Sequence, residues 1–246
     1  MFRNPFDSEV ILYSPEGRLL QIEYAKSASN RGNPIISFKS NSHLVIISVG
    51  QQIDSIRKPV NKIYAFNQNV LMGISGITGD GKLVFDLIKN KINQYEMGNS
   101  INMPISNLAI MCSNLFHTNT LYSGTRPFGV DILIGGYDKN NLNLYEISQT
   151  GYFNIELETA IGMESDINKK LIKQINQDIQ FFSIYELFYH TTQFMFKIQN
   201  QSVQKLNLKK EYSIFLVGKK SKFTFFNSKV SKFFTKSYLK IENLNN

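Results

Sequence analysis

The chain has 246 residues, 42% of them hydrophobic, with 27 basic and 19 acidic residues and a formal net charge of +8. That length and apolar content build one large domain, and no apolar run approaches the roughly 20 residues that span a bilayer. A single cysteine, Cys112, excludes an internal disulfide and fits a reducing compartment. The opening residues lack a basic stretch followed by an apolar one, so no secretory signal is read there. Ten Lys and two Glu lie between Lys205 and Asn246, so the positive excess belongs to the C-terminal segment and the rest of the chain balances.

Residues 1–12 mix Asn, Pro, Asp and Ser with scattered apolar residues and are expected to form an extended tail. Ser14-Pro15-Glu16-Gly17 has turn chemistry, because Pro15 fixes its own φ and Gly17 admits backbone angles that other residues avoid. Leu19, Ile22, Ala25 and Ala28 then fall at helical spacing, with Arg18, Glu23 and Lys26 on the polar side. Strands are expected at 35–39 and 43–50, the second nearly continuous in apolar, β-branched residues and so covered on both faces. A second strand pair is expected at 63–66 and 71–75, turning at Asn67-Gln68-Asn69.

Thr78 is read as a cap for a helix whose inner face is Val84, Leu87, Ile88, Ile92 and Tyr95. Pro104 suits the first turn of another, with Ile105, Leu108, Ala109, Cys112, Leu115 and Phe116 inward. Strands return at 130–137 and 142–147, and a further pair is expected at 152–156 and 159–162. Ile167, Leu171, Ile175 and Ile179 mark a third helix. A capping box, Ser183-Ile184-Tyr185-Glu186, opens a fourth, faced by Ile184, Leu187, Phe188, Phe194, Met195 and Ile198. Strands at 213–217 and 222–226 and a short helix from Ser228 complete the chain. Strands alternating with two helix pairs make an α/β (α+β) chain of two stacked sheets, each covered outside by helices.

Tyr13-Ser14-Pro15-Glu16-Gly17-Arg18-Leu19 followed by Gln21-Ile22-Glu23-Tyr24-Ala25 resembles the N-terminal signature of the alpha-type subunits of the 20S proteasome. Some ten positions match in order and spacing, which is far more specific than a lone glycine motif. Met1-Phe2-Arg3-Asn4, Asp7 and Val10 are most similar to the type-1 branch of that family, the sixth position of the eukaryotic alpha ring. Gly76-Ile77-Thr78-Gly79-Asp80 resembles a second family segment, although Gly81 and Lys82 stand where Ala-Arg is usual. Arg126-Pro127-Phe128-Gly129-Val130 with Leu133-Ile134-Gly135-Gly136-Tyr137-Asp138 is a third match, and Ala160-Ile161-Gly162 a fourth. A usual Asp-Pro-Ser-Gly turn is shortened to Gln149-Thr150-Gly151. The resemblance implies a four-layer αββα sandwich of the N-terminal nucleophile hydrolase type with an extra N-terminal helix. It implies a single domain: a gate tail over 1–12, the signature and its helix over 13–31, the sandwich over 33–226 and a basic segment over 227–246.

Beta-type relatives of this fold carry a threonine nucleophile at a free N-terminus, where the α-amine serves as base. The equivalent position here is Asn33, which has no hydroxyl. The catalytic aspartate falls at Val49, and Lys62 alone keeps the lysine. His43, His117 and His190 are isolated from one another, with no ligand spacing. Gly73, Gly76, Gly79 and Gly81 lack the strand–GxGxxG–helix order of a phosphate loop. No cofactor, metal or catalytic residue is therefore expected, and a beta-type hydrolase is the weaker alternative. So is a nucleic-acid-binding module, because the lysines interleaved with Phe223, Phe225, Phe226, Phe233, Phe234 and Tyr238 fit strands and a terminal helix better.

The resemblance implies assembly and gating instead. The family's gate cluster maps to Phe6, Asp7, Ser8, Pro15 and Tyr24. Phe6 lacks the usual hydroxyl donor, and Ser8 lacks the usual guanidinium. The pocket that takes activator tails maps to Gly32, Lys62 and Gly76. Other alpha subunits in a heteroheptameric ring, beta-ring subunits and activator C-terminal tails are the implied partners. Ubiquitin- and ATP-dependent protein degradation in cytoplasm and nucleus is the implied setting.

Overall fold

The computed structural model describes residues 5–52, 62–138, 141–174, 179–201, 209–218 and 224–226. Helix α1 (Leu20–Ser29) precedes strands β1 (Ile35–Lys39), β2 (His43–Gln52), β3 (Ile63–Ala65) and β4 (Val70–Gly76). Helices α2 (Thr78–Asn99) and α3 (Ile105–Leu121) follow, then β5 (Val130–Asp138), β6 (Asn141–Ile147), β7 (Phe153–Ile155) and β8 (Glu158–Ile161). Helices α4 (Ser165–Lys173) and α5 (Ile184–Gln201) lead to β9 (Lys209–Gly218) and β10 (Thr224–Phe226). The strands form two antiparallel five-stranded sheets, ordered β10-β9-β2-β1-β8 and β3-β4-β5-β6-β7.

Three buried clusters separate the layers. Ile35, Leu44 and Ile46 of the first sheet meet Leu71, Leu133 and Leu144 of the second. On the outer face of the second sheet, Met72, Ile74, Ile132 and Ile134 pack against Val84, Ile88, Leu108 and Phe116 of α2 and α3. On the outer face of the first, Ile36, Phe38, Val45 and Ile47 pack against Ile172, Leu187 and Met195 of α4 and α5. Successive strand residues point to opposite faces. Neighbours such as Ile35 and Ile36 therefore serve different clusters, and this is why β1 and β2 read as continuous apolar runs. Each such side chain contributes about 1.5–3 kcal/mol by leaving water.

The inward stripe of α3 is the one its spacing predicts: Ile105, Leu108, Ala109, Cys112 and Phe116 are all buried, and Leu115 packs alongside. In α2, Leu87 is exposed, and Asp80 and Gly81 are buried on the inner face instead. Thr78 does not cap α2. It is the first helical residue, and its hydroxyl accepts from Lys62. Asn67 closes the predicted β3–β4 turn by accepting from the amides of Asn69 and Val70, both at 2.9 Å.

Three expectations need correction. The segments near 152–156 and 159–162 do not pair with each other. β7 pairs with β6, whereas β8 pairs with β1 in the other sheet, so the chain crosses between sheets at Glu156 and Leu157. In α4 the fully buried residues are Ser165, Asn168 and Ile172; of the predicted stripe, Leu171 packs on the same cluster, Ile167 is exposed, and Ile175 lies outside the described residues. The helix ends at Lys173, and Ile179 is buried in a separate 3-10 turn (Ile179–Phe181). Residues 5–12 are not extended throughout: Pro5–Asp7 form a 3-10 turn, and Val10 is buried. The expected helix from Ser228 and the basic segment 227–246 lie outside the described residues.

The capping box at α5 forms as predicted. The Ser183 amide donates to Glu186 Oε2 at 2.7 Å, the Glu186 amide returns to Ser183 Oγ at 3.4 Å, and the hydrogen bonds from Ser183 hold the Glu186 carboxyl below its usual range. Ser183→Ala is expected to lower stability by about 1 kcal/mol, read as a lower urea midpoint with an unchanged slope.

Candidate functional site

The N-terminal signature folds as a turn feeding α1. Ser14 anchors the turn: its amide donates to the Arg18 carbonyl, the Gly17 amide donates to the Ser14 carbonyl, and its hydroxyl accepts from the Arg18 amide. Pro15 sits in this turn, and Gly17 takes φ +78°. Arg18 reaches over the first turn of α1 to grip Glu23, with Nε to Oε1 at 2.8 Å. The hydrogen bond to that guanidinium lowers the Glu23 pKa. The buried face of α1 is Leu20, Ala25 and Ser29; of the predicted stripe Leu19, Ile22, Ala25 and Ala28, Ala25 alone is fully buried, and Leu19 occupies the cap position.

Phe6 and Asp7 lie in the 3-10 turn and Ser8 follows it. The Gln21 side-chain amide donates to the Asp7 carbonyl, pinning this segment to α1. Tyr24 projects from α1, about half exposed. Among the described residues no hydrogen bond joins Pro15 or Tyr24 to Asp7.

Gly32, Lys62 and Gly76 are brought together. Lys62 is buried, and its Nζ donates to Thr78 Oγ1 at 2.9 Å and to the Gly76 carbonyl at 3.4 Å. Burial lowers its pKa. A Cβ on Gly32 would stand 2.2 Å from the Gly76 nitrogen, and a Cβ on Gly76, whose φ is +125°, would stand 2.2 Å from the Gly129 carbonyl oxygen. These glycines are required first by the chain's own backbone contacts.

The position of a beta-type nucleophile is occupied by structure. Ser75 Oγ donates to the Asn33 carbonyl at 2.8 Å, and the Met163 amide donates to the Gly32 carbonyl at 2.9 Å. Lys62 is hydrogen-bonded to Gly76 and Thr78 rather than to Asn33. His43 lies beside Ser42, with Nδ1 to Oγ at 2.9 Å, and burial lowers its pKa. His190 stacks on Phe182. Burial of Cys112 raises its thiol pKa, the opposite of what a nucleophile needs. Among the described residues no group of three or more His, Cys, Asp or Glu is placed to hold a metal, and no helix is long and apolar enough to cross a membrane.

Two polar clusters escaped the sequence reading. Asp80, at the start of α2, takes both Arg126 Nη atoms at 2.6 and 2.7 Å and the Gly129 amide at 3.0 Å. Arg126 holds the Asp80 carboxyl below its usual range. The second and third motifs are thus joined by a bidentate pair. Two matched segments of opposite charge were a usable signal for it. In the other cluster Asp131 on β5, itself buried, accepts from Ser29 Oγ at 2.9 Å and from Gln149 Nε2 at 2.6 Å. The shortened turn Gln149-Thr150-Gly151 serves this contact, because it tucks Gln149 inward.

A family model described as "Proteasome subunit" matches residues 29–204, and the model of the N-terminal signature of alpha-type proteasome subunits matches residues 6–28. The two matches together run from residue 6 to residue 204, and the chain belongs to the proteasome subunit family, on its alpha-type branch. Alpha-type subunits are non-catalytic components of the 20S protease. Among similar proteins is the alpha type-1 proteasome subunit of Caenorhabditis elegans, 32% identical over 67% of this chain and 64% of that protein. The alpha type-1 protein of Dictyostelium discoideum is 27% identical over 89% of this chain and 88% of its own length. The alpha proteasome subunit of Pyrobaculum aerophilum is 29% identical over 74% and 76%. The type-1 names agree with the reading of the opening residues.

Proposed function

We propose that this chain is a structural and gating subunit of the outer alpha ring of the 20S core particle. In that role it restrains substrate access in ubiquitin- and ATP-dependent degradation without cleaving peptide bonds. The observation that carries this reading is the N-terminal segment held on α1 through Gln21 and Asp7, ahead of a sandwich whose nucleophile position is Asn33. Its partners are the other alpha subunits of a heteroheptameric ring, the beta-ring subunits and activator C-terminal tails, in cytoplasm and nucleus. The three apolar clusters support a four-layer αββα sandwich of the N-terminal nucleophile hydrolase type, and the whole chain is one domain with a gate tail over 1–12.

In this role Asp7 accepts hydrogen bonds from the next member of the ring and Phe6 packs beside Ser8, while Pro15 and Tyr24 support the tail from the α1 side. Asp7→Ala is expected to raise basal peptide hydrolysis of the assembled particle, because the plug loses an anchor. An unchanged basal rate in a fully assembled mutant contradicts the gating role.

Lys62, between Gly32 and Gly76, is the site for an activator's terminal carboxylate. Its ammonium carries three donors, of which two go to described residues, Gly76 and Thr78. A carboxylate brought alongside offsets the burial that disfavours its charge. Lys62→Ala is expected to weaken binding of activator tail peptides to the particle by about 10- to 100-fold, the worth of one charge-assisted hydrogen bond. Equal affinity in titrations of wild type and mutant contradicts the assignment.

A further inference from the structure

The geometry points to a proton-dependent seat for the N-terminal helix: Asp131 on β5 holds the C-terminal end of α1 through Ser29, and gaining or losing one proton tightens or loosens that hold.

The hydrogen-bond inventory of the cluster shows where the proton goes, and burial sets the direction. Ser29 Oγ lies 3.0 Å from the Lys26 carbonyl and 2.9 Å from Asp131 Oδ2. A hydroxyl has one proton and two lone pairs. When Asp131 is ionised, the Ser29 proton goes to the carboxylate, and the Lys26 carbonyl keeps the Asn30 amide as its donor. When Asp131 is protonated, its O–H donates to Ser29 Oγ, and Ser29 gives its own proton to Lys26. Gln149 Nε2 has two protons, one for Asp131 Oδ1 and one for Ser29 Oγ. The Lys26 carbonyl also accepts from the Asn30 amide at 3.0 Å, so each state pairs every group, but the protonated one avoids a buried charge among neutral donors.

The surroundings push the same way. Asp131 is 8% exposed, its contacting donors are neutral, and no described amine or guanidinium forms an ion pair with it. Glu146 on β6 repels the charged form, while Lys26 on α1 and Lys169 on α4 favour it from further off. Lys169 is already paired with Glu146. Ser75, the register partner on β4, is uncharged. Burial pushes the Asp131 carboxyl up to about 7, against an ordinary carboxylate near 3.9 once α1 lifts and water enters. A group whose pKa is raised in the seated state gives stability that is full below about 4 and is lost as pH climbs to about 7.

The seat is a matter of packing within the chain and does not depend on gating. Hydrogen exchange of the α1 amides, corrected for intrinsic rates, is measured in the assembled particle between pH 5.5 and 8. In wild type, α1 opening should grow by nearly tenfold per pH unit up to about pH 7 and then level off. Asp131→Asn presents an N–H in place of the acid O–H and keeps the Gln149 acceptor, so its α1 should stay protected with no pH slope. A flat wild-type profile, or the same slope in Asp131→Asn, overturns the proposal. Should that variant fail to assemble, Gln149→Leu removes one donor to the carboxylate, and the levelling point should move to higher pH. An unmoved point overturns the proposal equally.

Discussion

Gly76→Ala should be the most damaging single-methyl change in the described part of the chain, with a loss on the order of 4 kcal/mol or more and failure to enter the particle. Two effects combine at this position. The φ of +125° is one that L side chains rarely adopt, and the added Cβ would stand 2.2 Å from the Gly129 carbonyl oxygen and 3.0 Å from Val130 Cα. Those are backbone atoms at the start of β5, where Val130 pairs in register with Gly76 and Gly129 leads into it, so no side chain can swing aside to make room. Gly17→Ala is the control for the angle alone: φ is +78°, nothing lies within 4 Å of the new Cβ, and the cost should be only about 1–2 kcal/mol. Gly98→Ala, in α2 with open space around it, should be neutral or stabilising by up to about 1 kcal/mol. Urea unfolding of the three variants should fall in that order. Similar midpoints for Gly76→Ala and Gly17→Ala would show that the close approach of Gly76 to Gly129 is wrong.

Asp80→Ala should cost about 2–3 kcal/mol. Asp80 is 6% exposed and satisfies the Gly129 amide as well as both arms of Arg126. Removing one partner of a fully buried pair costs about 3–5 kcal/mol. Arg126 is mostly exposed, so water can solvate it, and the expected loss is smaller. Asp80→Asn keeps an acceptor for the Gly129 amide and should recover part of the loss. The pH dependence has a definite sign. The folded-state pKa is lowered, chiefly by the hydrogen bonds from Arg126. The pair's contribution is therefore present above the ordinary carboxylate pKa near 4 and is lost as pH falls through and below it. Thermal midpoints of wild type and Asp80→Ala should converge on acidification. A constant gap down to pH 3 would contradict this account of the pair.

What the sequence disclosed and what it hid follow from how far each interaction reaches along the chain. The α3 stripe and the Ser183–Glu186 box are local, with spacings of three or four residues, and both fold as read. Among the described residues of the third-helix stripe, Leu171 and Ile179 pack inward and Ile167 alone faces solvent, because isoleucine is abundant here and helical spacing does not tell an inward Ile from an outward one. β7 and β8 are neighbours in sequence and so read as a pair, yet the chain can also change sheets, and neither Glu156 nor Leu157 announces that. Thr78 does not cap because α2 already begins on it, with Ile77 at the cap position. The Ser29–Asp131–Gln149 cluster spans 102 and 18 residues between its contacts, so no periodicity or motif could reveal it. The pocket glycines were legible as places of close backbone approach, but the approaching backbone at Gly32 and Gly76 belongs to this same chain.

Gating depends on the N-terminal segment remaining attached ahead of Asn33 while the chain sits in a closed ring. Native mass spectrometry of the endogenous particle, with ejection of single chains, reads both facts at once. One copy of this chain per seven-membered ring is expected, with the residues before Asn33 still present. A free monomer, or a ring-bound chain trimmed to the start of the sandwich, would contradict the gating role.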